Sequence, residues 1–592
     1  MDKQTTLGFI LIGLVLIVWM WLQAPPPHQI APSHADSSRP PSTVERVLPK
    51  TPVIPEPPSK RFGKFFSHLT SGVERNLVVK TDLYTVELTT RGGLIRKWEL
   101  REYKTWNQYP VHLTEYDSSG DFSLLFTSSD GKLVNTRHLY FRGDFPNWKT
   151  VDLKGEESFV VEMSLPISES KKIIKKFTFT NGKYSFDSDL RFVNVGDVVS
   201  NFEYQVVWEY GIPYAERNSI EESRFATAYA YSGGELTELD ASSPGQTYEK
   251  ELNTTTSWVA TRNKYFAAAI LAEEGKTQGA YMAGVHQPQP DQGARESYTI
   301  ALKMPFGGSS SESAKFTVFL GPLDLDVVRS YGRGLDQIMS LGAAWIIRPI
   351  SEYLLIPLFR FLRMFIPNFG VVIIVFSIII KIVLHPLTRA SMRSMKKMQA
   401  LQPLMNEIRE KHKDDPQKMN QQIMNLYRDY GVNPASGCLP LLLQLPILYA
   451  LYTVFSSSIE LRQASFVWWI KDLSAPDTIG TLPFTVPFFG ISEVSGLALA
   501  MGITMFLQQK MTITDPRQKA MVWMMPIMMT LLFNSFPSGL NLYYFVFNIL
   551  SIAQQTWINK QHKNEPLRKV DPKKKSGGLM ERLTRDLPKV KR

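Results

Sequence analysis

The chain is poor in the residues that build most metal and redox centres. One cysteine, Cys438, among 592 residues excludes a disulfide framework, a cysteine-based zinc site and an iron–sulfur cluster. The nine histidines are scattered, none three or four residues from another, so a helical histidine metal motif is absent too. Neither a Walker-type loop nor GxGxxG occurs, which argues against the familiar nucleotide-driven machines. No catalytic residue, metal or cofactor is therefore expected. What the chain does have is length enough for two or more domains, and a net charge of +11 that is unevenly placed. The stretch from Asn559 to Arg592 carries +8, Arg389–Tyr430 carries +4 and Lys510–Lys519 carries +2, so the remainder is slightly acidic.

Long uncharged runs set the organisation. Leu7–Leu22 is near the lower limit for a spanning helix. The rival reading is a cleaved signal peptide, but no A-x-A precedes its end and Pro25–Pro27 follow at once, so we read an uncleaved signal-anchor at 1–23. Eleven of the 38 prolines crowd the next segment, a linker at 24–60. From Asn76 to Pro322 short alternating strands dominate, such as YTVEL (84–88), FTFT-NG-KYSF (177–186), YQVVWEY (204–210) and FTVFL (316–320). They predict a large antiparallel β-sandwich domain at 61–342. A greasy segment at 343–367 follows. Its charges Arg348, Glu352, Arg360 and Arg363 fall on one narrow helical arc, which predicts an interfacial helix. The bland alternative is a buried amphipathic helix of the β-domain.

The last third predicts a membrane α-helical bundle. Spans are expected at 368–388, 432–459, 491–510, 520–536 and 537–558; with the signal-anchor that makes six. The last two come from forty uncharged residues, Ala520–Asn559, broken by Pro537-Ser538-Gly539 into a tight hairpin. Between the spans lie a helical hairpin at 389–431, a loop at 460–490 and a short loop at 511–519, and a basic tail fills 559–592. Lys/Arg bias puts the hairpin, the 511–519 loop and the tail in the cytoplasm, the 460–490 loop and the β-domain outside, and both termini inside. Asp414-Asp415-Pro416 supplies the hairpin turn, an N-cap and a helix-initiating proline.

Lys381 is the residue of interest. It sits inside VVIIVFSIIIKIVLHPLT, where an ammonium costs about 2.5–3.5 kcal/mol at mid-bilayer. It either snorkels to the headgroups or turns inward. Ser377 lies one turn back on the same face; Gln444, Asn534, Asn541, Tyr543, Tyr544 and Asn548 offer further polar groups in later spans. Turned inward, they enclose a hydrated, positively charged groove. Fourteen methionines between Met392 and Met529 form either ordinary helix-core filler or an adaptable apolar surface for varied partners. On the second reading Leu445, Leu448, Met525, Met528 and Met529 form an apolar slide on the third and fifth spans. The basic hairpin and tail are candidates for contact with ribosomal RNA or anionic lipid, or are simply solvated.

Several stretches resemble one family: KIVLHPLT (381–388), MQALQPLMNEIREK (398–411), VNPASGCLPLLLQLPILYALY (432–452), SIELRQASFVWWIKDLSAPD (458–477), FLQQKMTITDP (506–516) and FPSGLNLYYFVFN (536–548). In this order they resemble the YidC membrane-protein insertases, with their Oxa and Alb relatives, in the Gram-negative form with a large periplasmic domain. The resemblance implies a bacterial inner-membrane, multi-pass insertase and chaperone with a β-supersandwich outside, acting alone or with the Sec translocon and its accessory subunits. It implies nascent membrane proteins as clients and ribosome and lipid contacts. The family's cationic groove position falls on Lys381, its hydroxyl position on Ser377, its third-span cysteine on Cys438 and its aromatic pair on Tyr543 and Tyr544. Gram-negative members usually have arginine at the first of these; lysine keeps the charge and loses the two-pronged fork.

Two other classes fit less well. A secondary transporter or channel needs several intramembrane charges and usually internal repeats, and the chain offers one clear charge and no repeat. A sugar-handling enzyme needs a marked carboxylate pair, and Glu209 and Glu216 in the β-domain show no such spacing.

Overall fold

The computed structural model describes residues 58–115, 119–288, 293–432, 439–486, 489–513, 519–561 and 569. The signal-anchor, nearly all of the proline-rich linker, Cys438 and most of the basic tail lie outside the described residues. The chain divides into two compact units, one ending at Met339 and one beginning at Ser340.

In the first unit, period-two alternation of apolar and polar residues gives strands in three sheets, of five, nine and six strands. The hairpin of Lys172–Thr180 with Ser185–Val193 brings Phe179 opposite Phe186, and its Asn-Gly turn puts Gly182 at φ 78°. Pairing is antiparallel with one departure from expectation: Asn76–Lys80 runs parallel to Lys149–Asp152, because the second strand arrives by a long crossover and not by a hairpin. The sheets meet in an aromatic core. Tyr84 stacks on Trp98 at 3.8 Å, Trp98 reaches Phe186, and Phe122 meets Phe177 and Phe186 edge-on. Lys175, fully buried, joins the three sheets by donating to the carbonyls of Gly92, Gly93 and Phe122 at 2.8–3.2 Å. Burial holds its amine well below the ordinary lysine range.

The second unit is helical. Its first turns, Ile347–Pro349 and a π-helical stretch Ile350–Leu355, lead into α1 (Ile356–Phe365). Three of the four charges of this segment pair within the protein, Arg348 with the buried Glu352 at 2.7 Å and Arg360 with Glu460 at 3.3 Å; Arg363 is exposed, as are Tyr353, Phe361, Met364 and Phe365. Then follow α2 (Phe369–Val383), α3 (His385–Ala400), α4 (Gln402–Lys411), α5 (Pro416–Asp429), α6 (Leu439–Ser457), α7 (Gly496–Thr512), α8 (Lys519–Phe533) and α9 (Ser538–Gln561). Pro386 at the start of α3 lacks the N–H that would continue α2, and the chain bends by 66° there. Among the described residues no single helix is long and apolar enough to cross a membrane; the bent pair of α2 with Thr388–Ala400 passes that test together.

Asp415 caps α5 by accepting from the Lys418 N–H at 3.0 Å, with Pro416 at the first position. The α3–α5 hairpin has a small core of its own: Leu401, Met405 and Val432, with Met398, Ile423 and Leu426 against them. Met398 and Met405 are thus helix-core filler, whereas Met424 is exposed. The loop expected at 460–490 holds an unforeseen hairpin, Thr478–Val486 with Ile491–Ser495, whose second strand takes the first five residues of the span expected at 491–510, so that helix begins at Gly496.

Glu222 offers a test of the β-sheet unit. It is buried, accepting from the N–H groups of Ala215 and Glu216, and burial, with the Glu216 charge adding, pushes its carboxyl up to about 8. A raised folded-state value contributes stability below the unfolded value that is lost as pH rises through about 8. Chemical denaturation of the protein on either side of that pH is expected to show this loss, and Glu222→Gln to flatten it.

Candidate functional site

The last helix organises the interior of the helical unit. In α9 the polar residues Asn541, Asn548, Ser551, Gln554 and Gln555 are all buried, so a polar stripe runs along an otherwise apolar helix. Three neighbouring helices bond to it. Asn541 donates to the Phe533 carbonyl of α8 at 3.1 Å, Asn548 to the Thr504 hydroxyl of α7 at 3.3 Å, and Gln554 to the Thr388 hydroxyl of α3 at 3.2 Å, with the His385 ring at 3.1 Å.

Lys381, on α2, turns into the bundle. It is 8% exposed; its Nζ donates to the Ser551 hydroxyl at 2.6 Å and lies 4.4 Å from the centre of the Phe547 ring. Ser551 in turn donates to its own helix at the Phe547 carbonyl, 2.8 Å away, which leaves its lone pairs for the amine. An ammonium has three donors, and these two partners account for two directions. The snorkelling alternative is not what the structure shows.

The other sequence candidates divide. Tyr543 is buried against Phe376, Tyr544 and Phe547, within an aromatic file that continues from Phe376 to Phe359. Among the described residues its hydroxyl has no hydrogen-bond partner, nor have Asn541 Oδ1 and Gln554 Oε1. Tyr544 packs edge-on against Phe533 and faces Gln444. Ser377 is buried but donates to the Ile373 carbonyl of its own helix at 2.7 Å. Asn534, half-buried, turns to the β-hairpin instead: it accepts from the Ser495 N–H at 2.9 Å and donates to the Glu493 carbonyl at 2.7 Å. On the apolar side Leu445 is exposed and Leu448, Met525, Met528 and Met529 are half-buried; the outward ridge of α8 is Trp523, Met524 and Ile527. Ser551, Phe547, Gln554, His385, Thr388 and Thr504 were missed by sequence reading. The spacing of Asn541, Asn548 and Gln555 at seven residues, with Ser551 and Gln554 on the same side, was the available signal.

A buried amine and a buried polar stripe on apolar helices, in a chain that also carries a β-sheet unit, define a class of membrane protein with a polar interior. Among the described residues no group of His, Cys, Asp and Glu is placed to hold a metal. Comparison makes the assignment specific. Residues 361–565 match the family described as 60Kd inner membrane protein, and residues 76–353 match the YidC periplasmic domain. The membrane protein insertase YidC of Pelodictyon phaeoclathratiforme is 39% identical over 95% of both chains, and that of Chlorobium luteolum 37% identical over 98% of this chain and all of its own. A crystal structure of an active YidC insertase with its first transmembrane domain resolved is 20% identical, with a TM-score of 0.35, over 83% of this chain and 96% of its own. The chain belongs to the YidC family of membrane protein insertases. It is an inner-membrane protein with a large β-sheet-rich periplasmic domain and a helical C-terminal region, it inserts newly made membrane proteins, and its activity is non-enzymatic.

Ser551→Ala removes the acceptor from Lys381. A hydrogen bond to a charged donor is worth about 1.5–3 kcal/mol, so insertion of a reporter into proteoliposomes is expected to fall several-fold or more, and Ser551→Thr, which keeps the hydroxyl, to restore it.

Proposed function

We propose that the chain carries clients through a polar groove built on α9, with Lys381 as its positive charge. The inward-turned amine, hydrogen-bonded to Ser551 and over Phe547, carries this reading. In it, Lys381, Ser377, Gln444, Tyr543, Tyr544 and Asn548 line the groove. Of these, Ser377 acts through its back-bond to α2, which bends the local carbonyl pattern, more than through a free hydroxyl. The unpaired Tyr543 hydroxyl, Asn541 Oδ1 and Gln554 Oε1 favour hydration, because a dry polar atom of this kind costs about 1–3 kcal/mol.

An incoming apolar segment slides along Leu445, Leu448, Met525, Met528 and Met529, with the exposed ridge of Trp523, Met524 and Ile527 beside them. Its polar flank rests in the groove, where water lowers the cost of taking a polar tail through hydrocarbon. Helices α7 and α8, of 17 and 15 residues, are short enough to thin the bilayer locally. Apolar partitioning and the membrane potential, worth about 2.3 kcal/mol per charge per 100 mV, supply the energy.

The topology in this reading has six spans, both termini in the cytoplasm, the β-sheet unit and the 460–490 loop outside, and residues 343–367 in the outer interface. The exposed Tyr353, Phe361, Met364 and Phe365 favour that last placement. The domain limits given above, cooperation with the Sec translocon and its accessory subunits, and ribosome contact through the tail and the α3–α5 hairpin belong to the same proposal.

Lys381→Ala is expected to impair clients with acidic translocated tails much more than clients with neutral tails, and Lys381→Arg to restore the difference. Insertion of paired reporters into proteoliposomes checks this; equal loss for both classes counts against the groove charge.

A further inference from the structure

The hairpin between Thr478 and Ser495 has no role in the groove. Its sequence carries no charge from Thr478 to Ser492. The first strand is largely open, with Ile479 52% exposed and Phe484 61%; in the second, Ser492 and Glu493 are exposed and Ile491 is buried. At its base Trp468, 86% exposed, stacks on Trp469 with the rings 5.7 Å apart. Lys471 is exposed in the same loop.

The base is firmly held. Asp477, buried, accepts from Trp469 Nε1 at 2.8 Å, from the Leu497 N–H at 2.7 Å and from the Ser495 hydroxyl. Asn534 holds Ser495 and Glu493 from α8. Ser495 is itself the N-cap of α7, so the strand passes directly into a membrane helix with no linker. A two-stranded ribbon is marginal by itself in water, and open uncharged edges invite aggregation. Among the described residues the ribbon is fixed at its root by Asn534 and Asp477, pairs with no third strand and is largely apolar.

We infer that this hairpin is a membrane-surface anchor, laid in the headgroup layer of the bilayer that α7 enters, with Trp468, Trp469, Ile479 and Phe484 among the lipids. Tryptophan is at home at that depth, Lys471 is placed to meet lipid phosphates, and the unpaired strand edges keep the ribbon out of the hydrocarbon, where open edges are not tolerated. The anchor pins the outer end of α7 and, through Asn534, that of α8. The inference rests on the proposed topology, in which this loop is outside.

The test uses the full chain with Cys438→Ala, carrying an environment-sensitive fluorophore at Phe484→Cys, or at Val160→Cys in the β-sheet unit as the comparison. The protein is reconstituted in phosphatidylethanolamine–phosphatidylglycerol vesicles containing doxyl lipids labelled near the headgroup or deep in the chain. The Phe484 label is expected to be quenched several-fold more by the shallow doxyl lipid than by the deep one, and several-fold less by iodide than the Val160 label. Equal iodide quenching at both positions without doxyl quenching overturns the inference; so does shielding from iodide with no doxyl quenching, which means that protein covers the hairpin. Sidedness is read separately with an impermeant maleimide on Thr481→Cys: labelling only in inverted vesicles overturns the topology, whatever the quenching shows.

Discussion

An ammonium group among apolar helices needs polar partners that the helices hold in place. Left without them it costs more than most single contacts return, so its surroundings are constrained first and the rest follows. In this protein the nearest partners come from one element. Helix α9 presents the Ser551 hydroxyl and the Phe547 ring to Lys381, and continues the same polar stripe to Asn548 and Gln554. Because those groups also need partners, α3, α7 and α8 are each tied to α9 by at least one hydrogen bond. The bundle is organised around a helix whose amphipathy is inverted, polar toward its neighbours.

The two ends of the unit are finished differently. On the hairpin side, α3 closes other helices: Lys396 donates to the Asn559 carbonyl at the end of α9, and Gln399 to the Thr512 carbonyl at the end of α7. A cation and an amide thus meet carbonyls that a helix end leaves open. At the opposite end the connection is largely backbone on backbone. The Ser538 N–H donates to the Ala475 carbonyl at 2.8 Å and the Gly539 N–H to the Leu473 carbonyl at 2.9 Å, so near that a Cβ added at Gly539 would sit 3.0 Å from that oxygen, and the Ser538 hydroxyl adds a bond to the Asp472 carbonyl. The Pro537-Ser538-Gly539 turn is where the loop seats on the bundle.

How much was legible in the sequence depended on range. Local signals read well: the Asp415 cap, the Asn-Gly turn and the alternation of the large strands all have their cause within a few residues. The bend after Leu384 was legible in principle, since Pro386 breaks the ladder that a continuous span at 368–388 would need. The direction of Lys381 was not, because snorkelling and inward packing differ only in what α9, some 170 residues later, places opposite it. Asn534 misled for the same reason, since its partners at Glu493 and Ser495 lie in a loop whose strand character Gly480 and Pro483 conceal. The arc of charges over residues 348–363 assumes a regular helix; the π-helical turn at Ile350–Leu355 changes the angle per residue, and Arg348, Glu352 and Arg360 pair while Arg363 is exposed.

The parallel strand in the five-stranded sheet has a consequence for biogenesis. Leu77 is opposite Lys149, so the first strand of the domain cannot complete its outer edge until a segment 72 residues later has been made. At ribosomal rates of about 5–20 residues per second that interval is roughly 4–14 s. For that interval the growing insertase, which serves other chains, itself carries a sheet with an open edge.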